Sequence, residues 1–360
     1  MLKQGQFGGD APRLHWLDAL RGIAAMVVVL GHYYWESATP LMRTVFDPGA
    51  FGVGIFFMIS GFIIPLSVRP DRPNATFRFV WARVFRLYPL YWLSVLFGAT
   101  VMATGLIQGL ANLTMVQRFI GSSDVLGVYW TLQIEFLFYV ITALTIAVGR
   151  FDRVWLIVAL AIGFATLAAV FGYIRFSLHL KAPMAVPIGL AFIYLGNMRS
   201  LVERLRLSPV SFLAFAGVVG ALITVAVLLG FNEPWMYDER PTRFLVSYFF
   251  AVVVFLAGFR LGRFHLRFRV SAFLGIISYP IYLFHQPMLE LMARMRPDIH
   301  PGLLAPVAVG VTIVLSLALH HAIEMPAVQL GRVLIPGSRR YVPPSVSVGH
   351  PDVEGTRKGA

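Results

Sequence analysis

Long apolar runs, separated by short polar segments rich in arginine, recur along almost the whole chain. A transmembrane helix needs about 20 consecutive apolar residues to cross the hydrocarbon core of a bilayer. The pattern therefore predicts an all-α fold, a polytopic membrane helix bundle of about ten transmembrane helices. We place the spans near residues 16–36, 50–68, 84–106, 128–148, 154–174, 183–198, 208–230, 244–259, 271–292 and 303–323.

The sixth of these runs is the least certain span by pattern alone. It is short and contains Pro183 and Pro187, which disfavour a straight helix at their positions. Two interpretations stay open at this point, a full span and a re-entrant segment. The distribution of charge in the flanking loops favours a full span.

The composition agrees with a membrane protein. Of the 360 residues, 58% are hydrophobic and only 13% are charged, which is too apolar for a soluble protein of this length. The net charge of +13 would also suit a nucleic-acid-binding protein. The basic residues, however, lie in loops beside apolar runs, so they indicate membrane orientation and contact with membrane lipid, and we expect no nucleic-acid partner.

The position of the basic loops predicts the topology. Short cytoplasmic loops carry the excess of lysine and arginine, and this rule places both termini in the cytoplasm of a multi-pass protein of the cell inner (plasma) membrane. The loop with Arg175 and Lys181 breaks the rule. We divide the chain into an integral membrane domain, residues 1–335, and a polar, proline-containing stretch, residues 336–360, that we expect to be a disordered cytoplasmic tail.

Two potential kinds of site receive no support from the sequence. The chain has no cysteine, which excludes a thiolate nucleophile, a cysteine-ligated metal and disulfides. His320, His321 and Glu324 form a small polar cluster, but adjacent histidines on a helix point about 100° apart. We therefore expect no metal there.

The first apolar run contains a polar stripe. Arg21 and His32 are eleven positions apart, which corresponds to about three helical turns, so they share one helix face about 16 Å apart along the axis. Charged residues within a membrane span are costly and usually mark a functional path. His32 is a candidate general base or acid, with Glu36 one turn away to orient its ring, although an interfacial histidine with a purely structural role has the same pattern.

Two further titratable residues are expected in the outer half of the bundle together with His32. The fourth predicted span runs inward through Glu135, about 10 Å below the outer surface, and the ninth runs outward through His285. We interpret Glu135 as a catalytic residue that helps to orient His32. Each of these side chains could instead serve as a hydrogen-bonding group between helices.

An arginine cluster begins the third predicted span. Arg83 and Arg86 are three positions apart and share one helix face, where two guanidinium groups can bind a phosphate or pyrophosphate, and Arg78 lies nearby. Positive-inside anchoring by anionic lipid also explains such a cluster. The combination of an inner cationic cluster with an outer histidine suits a phosphorylated donor inside and an acceptor outside.

Six motifs occur in order along the chain. They are Leu17-Asp18-Ala19-Leu20-Arg21-Gly22-Ile23-Ala24-Ala25 followed by His32, Phe56-Phe57-Met58-Ile59-Ser60-Gly61-Phe62, Arg83-Val84-Phe85-Arg86-Leu87-Tyr88-Pro89, Tyr129-Trp130-Thr131-Leu132 with Glu135 and Tyr139, Ile277-Ser278-Tyr279-Pro280-Ile281-Tyr282-Leu283-Phe284-His285, and Glu324-Met325-Pro326. Over residues 14–330 they resemble the motifs of the acyltransferase-3 family of membrane acyltransferases. In the second predicted span, Gly52, Gly54, Ser60 and Gly61 would permit close helix packing.

The resemblance implies transfer of an acyl group, commonly acetyl, from cytoplasmic acyl-CoA to a hydroxyl of a glycan, glycolipid or small molecule. It implies an essential pair, Arg21 and His32, and donor binding by the arginine cluster. Many sugar-modifying members carry aspartate where this chain has Gly54. The predicted site consists of catalytic His32, Glu135 and Arg21, donor-binding Arg83, Arg86 and Arg78, and substrate-binding Glu36, Trp130, Tyr139, Tyr279 and His285.

The mechanism and the class of protein each have an alternative. His32 would either deprotonate the acceptor hydroxyl or carry the acyl group itself. Histidine, glutamate and arginine inside a bundle also build the proton relays of secondary transporters, so a proton-coupled transporter or a glycolipid flippase is the rival function. We find no internal symmetry of the kind that many transporters have.

Overall fold

A computed structural model describes residues 15–34, 38–231, 240–262, 269–299 and 301–335. Within these ranges nine helices are long and apolar enough to cross a membrane, which confirms a polytopic, multi-pass membrane protein. The predicted tail, residues 336–360, and the predicted site residue Glu36 lie outside the described residues.

The described chain is a bundle of α-helices. A short 3-10 turn, Gln117–Ile120, precedes the sixth helix, and a π-helical segment, His320–Glu324, joins the last two helices. In chain order the helices are α1 (His15–Tyr34), α2 (Pro40–Val45), α3 (Pro48–Ser67), α4 (Ala75–Met102), α5 (Leu106–Asn112), α6 (Tyr129–Ala147), α7 (Val154–Leu178), α8 (Ala185–Leu205), α9 (Pro209–Gly230), α10 (Pro241–Gly262), α11 (Arg269–Ile276), α12 (Ser278–Met295), α13 (Pro301–Leu319) and α14 (Met325–Leu334).

The two ends of the bundle differ in chemistry. We call the end where α4 begins, near Arg83 and Arg86, the arginine side, and the end where α1 finishes, near His32, the histidine side. The long helices run alternately between these two sides. This arrangement places the two predicted halves of the site at opposite ends of the same bundle.

The sixth predicted span agrees with the favoured interpretation, whereas the ninth differs from its prediction. The sixth is a full helix, α8, whose 21 residues are mostly buried by other helices, so the re-entrant interpretation is wrong. The ninth, residues 271–292, is interrupted at Ile277 and forms α11 and α12. The first half of α12 is enclosed by protein, which explains how it accommodates His285 and several tyrosines inside the bundle.

Small residues allow the central helices to cross closely. An added Cβ at Gly61 on α3 would lie 1.7 Å from the backbone oxygen of Ile193, and one at Gly196 on α8 would lie 2.0 Å from that of Met58. A similar crossing joins α1 and α11, where a Cβ at Gly22 would lie 2.0 Å from the oxygen of Ser271. The predicted packing role of Gly61 is confirmed, and these crossings fix the helices that carry the site.

Substituting Gly196→Ala should destabilise the bundle by about 1–3 kcal/mol, because the new methyl group cannot fit without moving α3 and α8 apart. Gly220→Ala is the matched control, since Gly220 lies within α9 and faces open space, where alanine gains about 0.5–1 kcal/mol over glycine. The midpoint of thermal unfolding in detergent measures both. A Gly196→Ala midpoint equal to that of the control would refute the packing argument.

The segment between α4 and α6 folds back along α4. The Trp92 indole N–H donates to the oxygen of Leu113 at 3.0 Å, and the Tyr88 hydroxyl donates to that of Thr114 at 3.2 Å. Tyr88 precedes Met102, the last residue of α4, by fourteen positions, or about 21 Å of helix. The chain therefore returns deep into the bundle before α6 begins.

Arg175 explains the loop that breaks the positive-inside rule. This side chain, at the histidine side of α7, is only 7% exposed, and its guanidinium donates to the backbone oxygens of Ala182, at 2.8 Å, and Gly230, at 3.4 Å. It also lies over the ring of Phe231, 5.3 Å from the centroid. Arg175 therefore satisfies carbonyl groups at helix ends, and it contributes no loop charge to set the orientation.

Candidate functional site

Two cavities meet inside the bundle at three arginines. A wide cavity of about 680 Å³ lies at the arginine side, and a narrow one of about 100 Å³ extends from it between α3, α6 and α12. Arg21, Arg83 and Arg86 line both cavities. The sequence analysis placed Arg21 on one helix and Arg83 and Arg86 on another. In the structure these three residues surround the junction of the two cavities, which we call the arginine neck.

The arginines of the neck differ in how they are held. Arg83 donates from Nη2 to the Ser67 hydroxyl at 2.6 Å, and its guanidinium lies 5.6 Å from the centroid of the Tyr139 ring. Among the residues that the structure describes, Arg21 and Arg86 have no hydrogen-bonding partner. Guanidinium groups that line a cavity without partners retain their full set of donors for an anionic ligand.

Three carboxylates surround this neck at longer range. Asp18, Glu324 and Glu135 all act electrostatically on Arg21, while Arg86 repels it. The formal charges of the three guanidinium groups and the three carboxylates balance, but of these six groups only the guanidinium groups line both cavities. Their N–H donors at the junction of the cavities favour an anionic ligand with several acceptor oxygens.

Glu135 belongs to the arginine neck. Its Oε1 accepts hydrogen bonds from the Ser60 hydroxyl, at 3.0 Å, and from the hydroxyl of Tyr139. It lines the narrow cavity, and it acts electrostatically on both Arg21 and Arg83. The prediction that Glu135 shares a layer with His32, and orients it, is wrong.

The depth of Glu135 follows from the position at which α6 begins. The hydroxyls of Tyr129, the first residue of α6, and Ser94 on α4 are 2.8 Å apart. Ser94 is eight residues, or about 12 Å, before the end of α4. The start of α6 is therefore about 12 Å below the end of α4. For this reason Glu135 lies deeper in the bundle than the sequence analysis predicted.

The π-helical segment contributes the carboxylate of Glu324 to the lining of the wide cavity. The carboxylate of Glu324, which is 8% exposed, lies 2.8 Å from Nδ1 of His320, and both residues line this cavity together with Arg332 of α14. π-Helical turns occur frequently at functional sites. The sequence analysis considered His320 only as part of a metal cluster and Glu324 also as part of the sixth motif, and it did not predict that either residue lines a cavity. The described residues contain no group of three potential metal ligands.

A pair of histidines lies at the other end of the path. Nε2 of His285 is 3.2 Å from Nδ1 of His32, and this same Nδ1 is 3.0 Å from the backbone oxygen of Val28. His285 is fully buried, whereas His32 is exposed at the end of α1. The structure thus brings together two of the predicted residues, His32 and His285, on the histidine side.

Tyr282 separates the histidine pair from the narrow cavity. Its ring lines the cavity at one face and lies 6.0 Å from the His285 ring, centroid to centroid. Its hydroxyl is 2.8 Å from that of Thr131 and donates to the oxygen of Val128 at 3.3 Å. The Tyr282 ring therefore lies between the narrow cavity and the His285 ring.

The remaining predicted residues fall in different places. Tyr139 and Tyr279 line the narrow cavity, and the Tyr279 hydroxyl donates to the oxygen of Leu87 at 3.0 Å. Trp130 packs against Phe57 and lies outside the lining of this cavity. Arg78 is half-buried and lines neither of the two cavities.

The position of Gly54 also has a structural explanation. An added Cβ there would lie 3.2 Å from the Cβ of Ala251 on α10 and 3.9 Å from a ring carbon of Tyr248. The crossing of α3 and α10 therefore leaves little room for a side chain at Gly54. Gly54 therefore serves helix packing in this chain, at the position where many sugar-modifying members of the resembled family carry aspartate.

Comparison with known proteins agrees with this arrangement. The family model described as "Acyltransferase domain" matches residues 14–321, which is most of the chain and includes both the arginine neck and the histidine pair. The chain belongs to the acyltransferase-3 family. This membership, together with the helix bundle, makes it a membrane acyltransferase.

Curated relatives of this acyltransferase come from viral and bacterial sources. "Putative acetyltransferase ORF330" of Acidianus two-tailed virus is 30% identical over 76% of this chain and 82% of its own length. "Exopolysaccharide production protein ExoZ" of Rhizobium meliloti is 27% identical over 80% and 92%. "Putative membrane-bound transacylase BcsY" of Komagataeibacter xylinus is 27% identical over 75% and 72%. No solved structure matches this acyltransferase.

Proposed function

We propose that this acyltransferase moves an acyl group, acetyl in the simplest case, from acyl-CoA on the cytoplasmic face of the inner membrane to a hydroxyl of a glycan or glycolipid on the outer face. The arginine side is then cytoplasmic, as are both termini. The observation that carries the proposal is the neck, where Arg21 and Arg86 line both cavities and, among the described residues, have no hydrogen-bonding partner.

The two cavities match the two parts of such a donor. A thioester of coenzyme A has a bulky, anionic nucleotide end and a thin, flexible arm. The wide cavity of about 680 Å³ suits the nucleotide end, and the narrow one suits the arm. Arg21, Arg83 and Arg86 would bind the phosphates at the junction, where charge-assisted hydrogen bonds to guanidinium groups are strong and directional.

His32 would act on the acceptor at the histidine side. Its imidazole takes the proton of the acceptor hydroxyl, the hydroxyl oxygen attacks the thioester carbonyl carbon, the carbon–sulfur bond breaks, and the leaving thiolate takes the proton back from the imidazolium. The products are an ester and a free thiol, and the histidine returns to its starting state. General base catalysis of this kind contributes about 100- to 10,000-fold to the rate.

The thioester must pass Tyr282 to reach His32. Arg21 and His32 are about 16 Å apart along α1, and the narrow cavity covers this distance as far as Tyr282 and Thr131. We propose that the Tyr282 ring turns aside when the donor arm enters, which breaks its hydrogen bonds to Thr131 and Val128. This movement would keep the histidines separated from the cytoplasmic side until a donor is bound.

The acceptor class is proposed from the relatives. One relative bears a name that refers to exopolysaccharide production, and the names of the other two refer to acetyl or acyl transfer. A surface polysaccharide or its lipid-linked precursor is therefore the acceptor class that we propose for this chain. The histidine side, where His32 is exposed, is the side on which such an acceptor would bind.

The proposal is tested with purified protein and acetyl-CoA labelled in the acetyl group. We expect loss of the thioester to depend on an added polysaccharide or glycolipid acceptor, with the label recovered as an ester. Movement of a glycolipid or a proton across a vesicle membrane without thioester consumption would instead identify a flippase or a proton-coupled transporter.

A further inference from the structure

The histidine pair has a defined pattern of donors and acceptors. Nδ1 of His285 is 2.9 Å from the oxygen of Tyr282 and 3.2 Å from that of Ile281. Carbonyl oxygens only accept hydrogen bonds, so Nδ1 of His285 must carry a proton. His285 is fully buried, and an imidazolium there would be a desolvated charge, so the ring is neutral and its Nε2 holds a lone pair.

The same reasoning fixes the second ring. Nδ1 of His32 faces two acceptors, the oxygen of Val28 at 3.0 Å and Nε2 of His285 at 3.2 Å. Among the described residues these two are the partners of Nδ1 of His32, and both accept, so Nδ1 carries the ring proton. In a neutral imidazole the other nitrogen, Nε2, is then unprotonated and is the basic atom of the ring.

We propose that His285 is a positioning residue that holds His32 in the tautomer with a basic Nε2, and that it does not contact the substrate. This inference rests on the proposed function of His32 as general base, and it changes the role that the sequence suggested for His285. As His32 takes up a proton at Nε2, the positive charge strengthens the hydrogen bond from its Nδ1–H to His285.

The surroundings hold His285 in place for this role. The hydroxyl of Tyr33, the residue after His32, donates to the backbone oxygen of His285 at 2.7 Å and is 3.3 Å from the hydroxyl of Thr312. This contact ties α1 to α12 beside the rings, and the Tyr33 ring also packs against the His285 ring, 6.2 Å from centroid to centroid. The charged group that acts on His32 is Asp47, the N-cap residue just before α3, which is itself paired with Arg243.

The test compares three variants in the full-length protein. His285→Phe keeps the ring shape but removes the acceptor, and His285→Gln keeps an acceptor oxygen. We expect His285→Phe to lower kcat about fivefold with both KM values unchanged, since one hydrogen bond is worth about 1 kcal/mol, and His285→Gln to retain most of the rate. Tyr33→Phe removes only the hydrogen bonds that the Tyr33 hydroxyl makes to the backbone of His285 and to Thr312, and it should change kcat much less.

Nitrogen NMR of protein labelled with ¹⁵N-histidine gives a readout that does not depend on acyl transfer. The His32 signals are identified by their loss in His32→Ala. We expect an unprotonated Nε2 in the wild-type protein and in His285→Gln, and a smaller excess of this tautomer in His285→Phe, where Val28 remains of the two described acceptors. Should His285→Phe not fold, His285→Asn replaces it, because its shorter side chain does not reach His32.

The two proposals fail in different ways. A proton on Nε2 of wild-type His32, or equal kcat values in His285→Phe and His285→Gln, would overturn the role of His285 while the acyltransferase proposal stands. A tautomer that depends on His285, in a protein that transfers no acyl group, would refute the proposed function and leave the assignment of the pair intact.

Discussion

Replacing His32 by alanine should reduce acyl transfer by about 100- to 10,000-fold, with little change in the KM for acyl-CoA. His32 is exposed at the end of α1, so the variant should fold and insert, although Nε2 of the buried His285 loses its donor. The arginine neck, about 16 Å away along α1, would still bind the donor. Initial rates of ester formation and a direct donor-binding measurement check both parts.

His15→Ala is the matched control for this variant. His15 lies on the same helix, α1, is exposed, and lies at the arginine side far from the histidine pair. We expect wild-type rates from it. If His32→Ala retained a rate similar to that of His15→Ala, neither a general base nor an acyl-carrying histidine at this position would be tenable.

Arg86→Gln should raise the KM for acyl-CoA by about 10- to 100-fold, because each charge-assisted hydrogen bond to a phosphate is worth about 1.5–3 kcal/mol. Arg86 has no hydrogen-bonding partner among the described residues, so glutamine leaves no buried group unsatisfied and the thermal unfolding midpoint should change little. The rate at saturating donor should fall less than kcat/KM does.

Arg78→Gln separates donor binding from positive-inside anchoring. Arg78 lies eight residues before Arg86 on α4 but lines neither cavity. A membrane-anchoring role predicts equal effects of the two substitutions, whereas donor binding predicts an effect of Arg86→Gln alone. Equal KM values in the two variants would therefore argue against the arginine neck as the phosphate site.

The sequence was sufficient for the features that depend on local periodicity. Apolar run lengths located the long helices, and the spacing of Arg83 and Arg86 placed them on one face of α4, as the shared cavity lining confirms. Glycine in the second motif predicted a close crossing, which Gly61 makes. Each of these properties is set by residues within a few helical turns of one another.

Features that depend on contacts between segments far apart in the chain could not be predicted from the sequence. The depth of Glu135 depends on the segment that folds back from Met102 to Tyr129, whose hydrogen bonds to α4 have no periodic signal. The position of the Tyr282 ring between the narrow cavity and His285 depends on a contact of its hydroxyl with that of Thr131, 151 positions away in the chain. The contact between His32 and His285 likewise depends on the packing of α1 against α12.

The role of Glu324 shows a different reason for a missed residue. The spacing of His320 and Glu324, four positions apart, predicts contact on one helix face, and the structure has that contact. The sequence does not show which cavity the pair faces, because this is set by the crossing of α14 and α4, where an added Cβ at Gly331 would lie 2.6 Å from that of Phe85.

The central claim, transfer from a donor on the arginine side to an acceptor on the histidine side, is tested most directly in sealed proteoliposomes. The native chain has no cysteine, so one cysteine introduced at the exposed Asp71, in the loop before α4, reports the orientation by its reaction with an impermeant thiol reagent. We predict ester formation when acetyl-CoA is on the side of residue 71 and the glycan acceptor is on the opposite side. Equal ester formation when both substrates are confined to the histidine side would contradict the account.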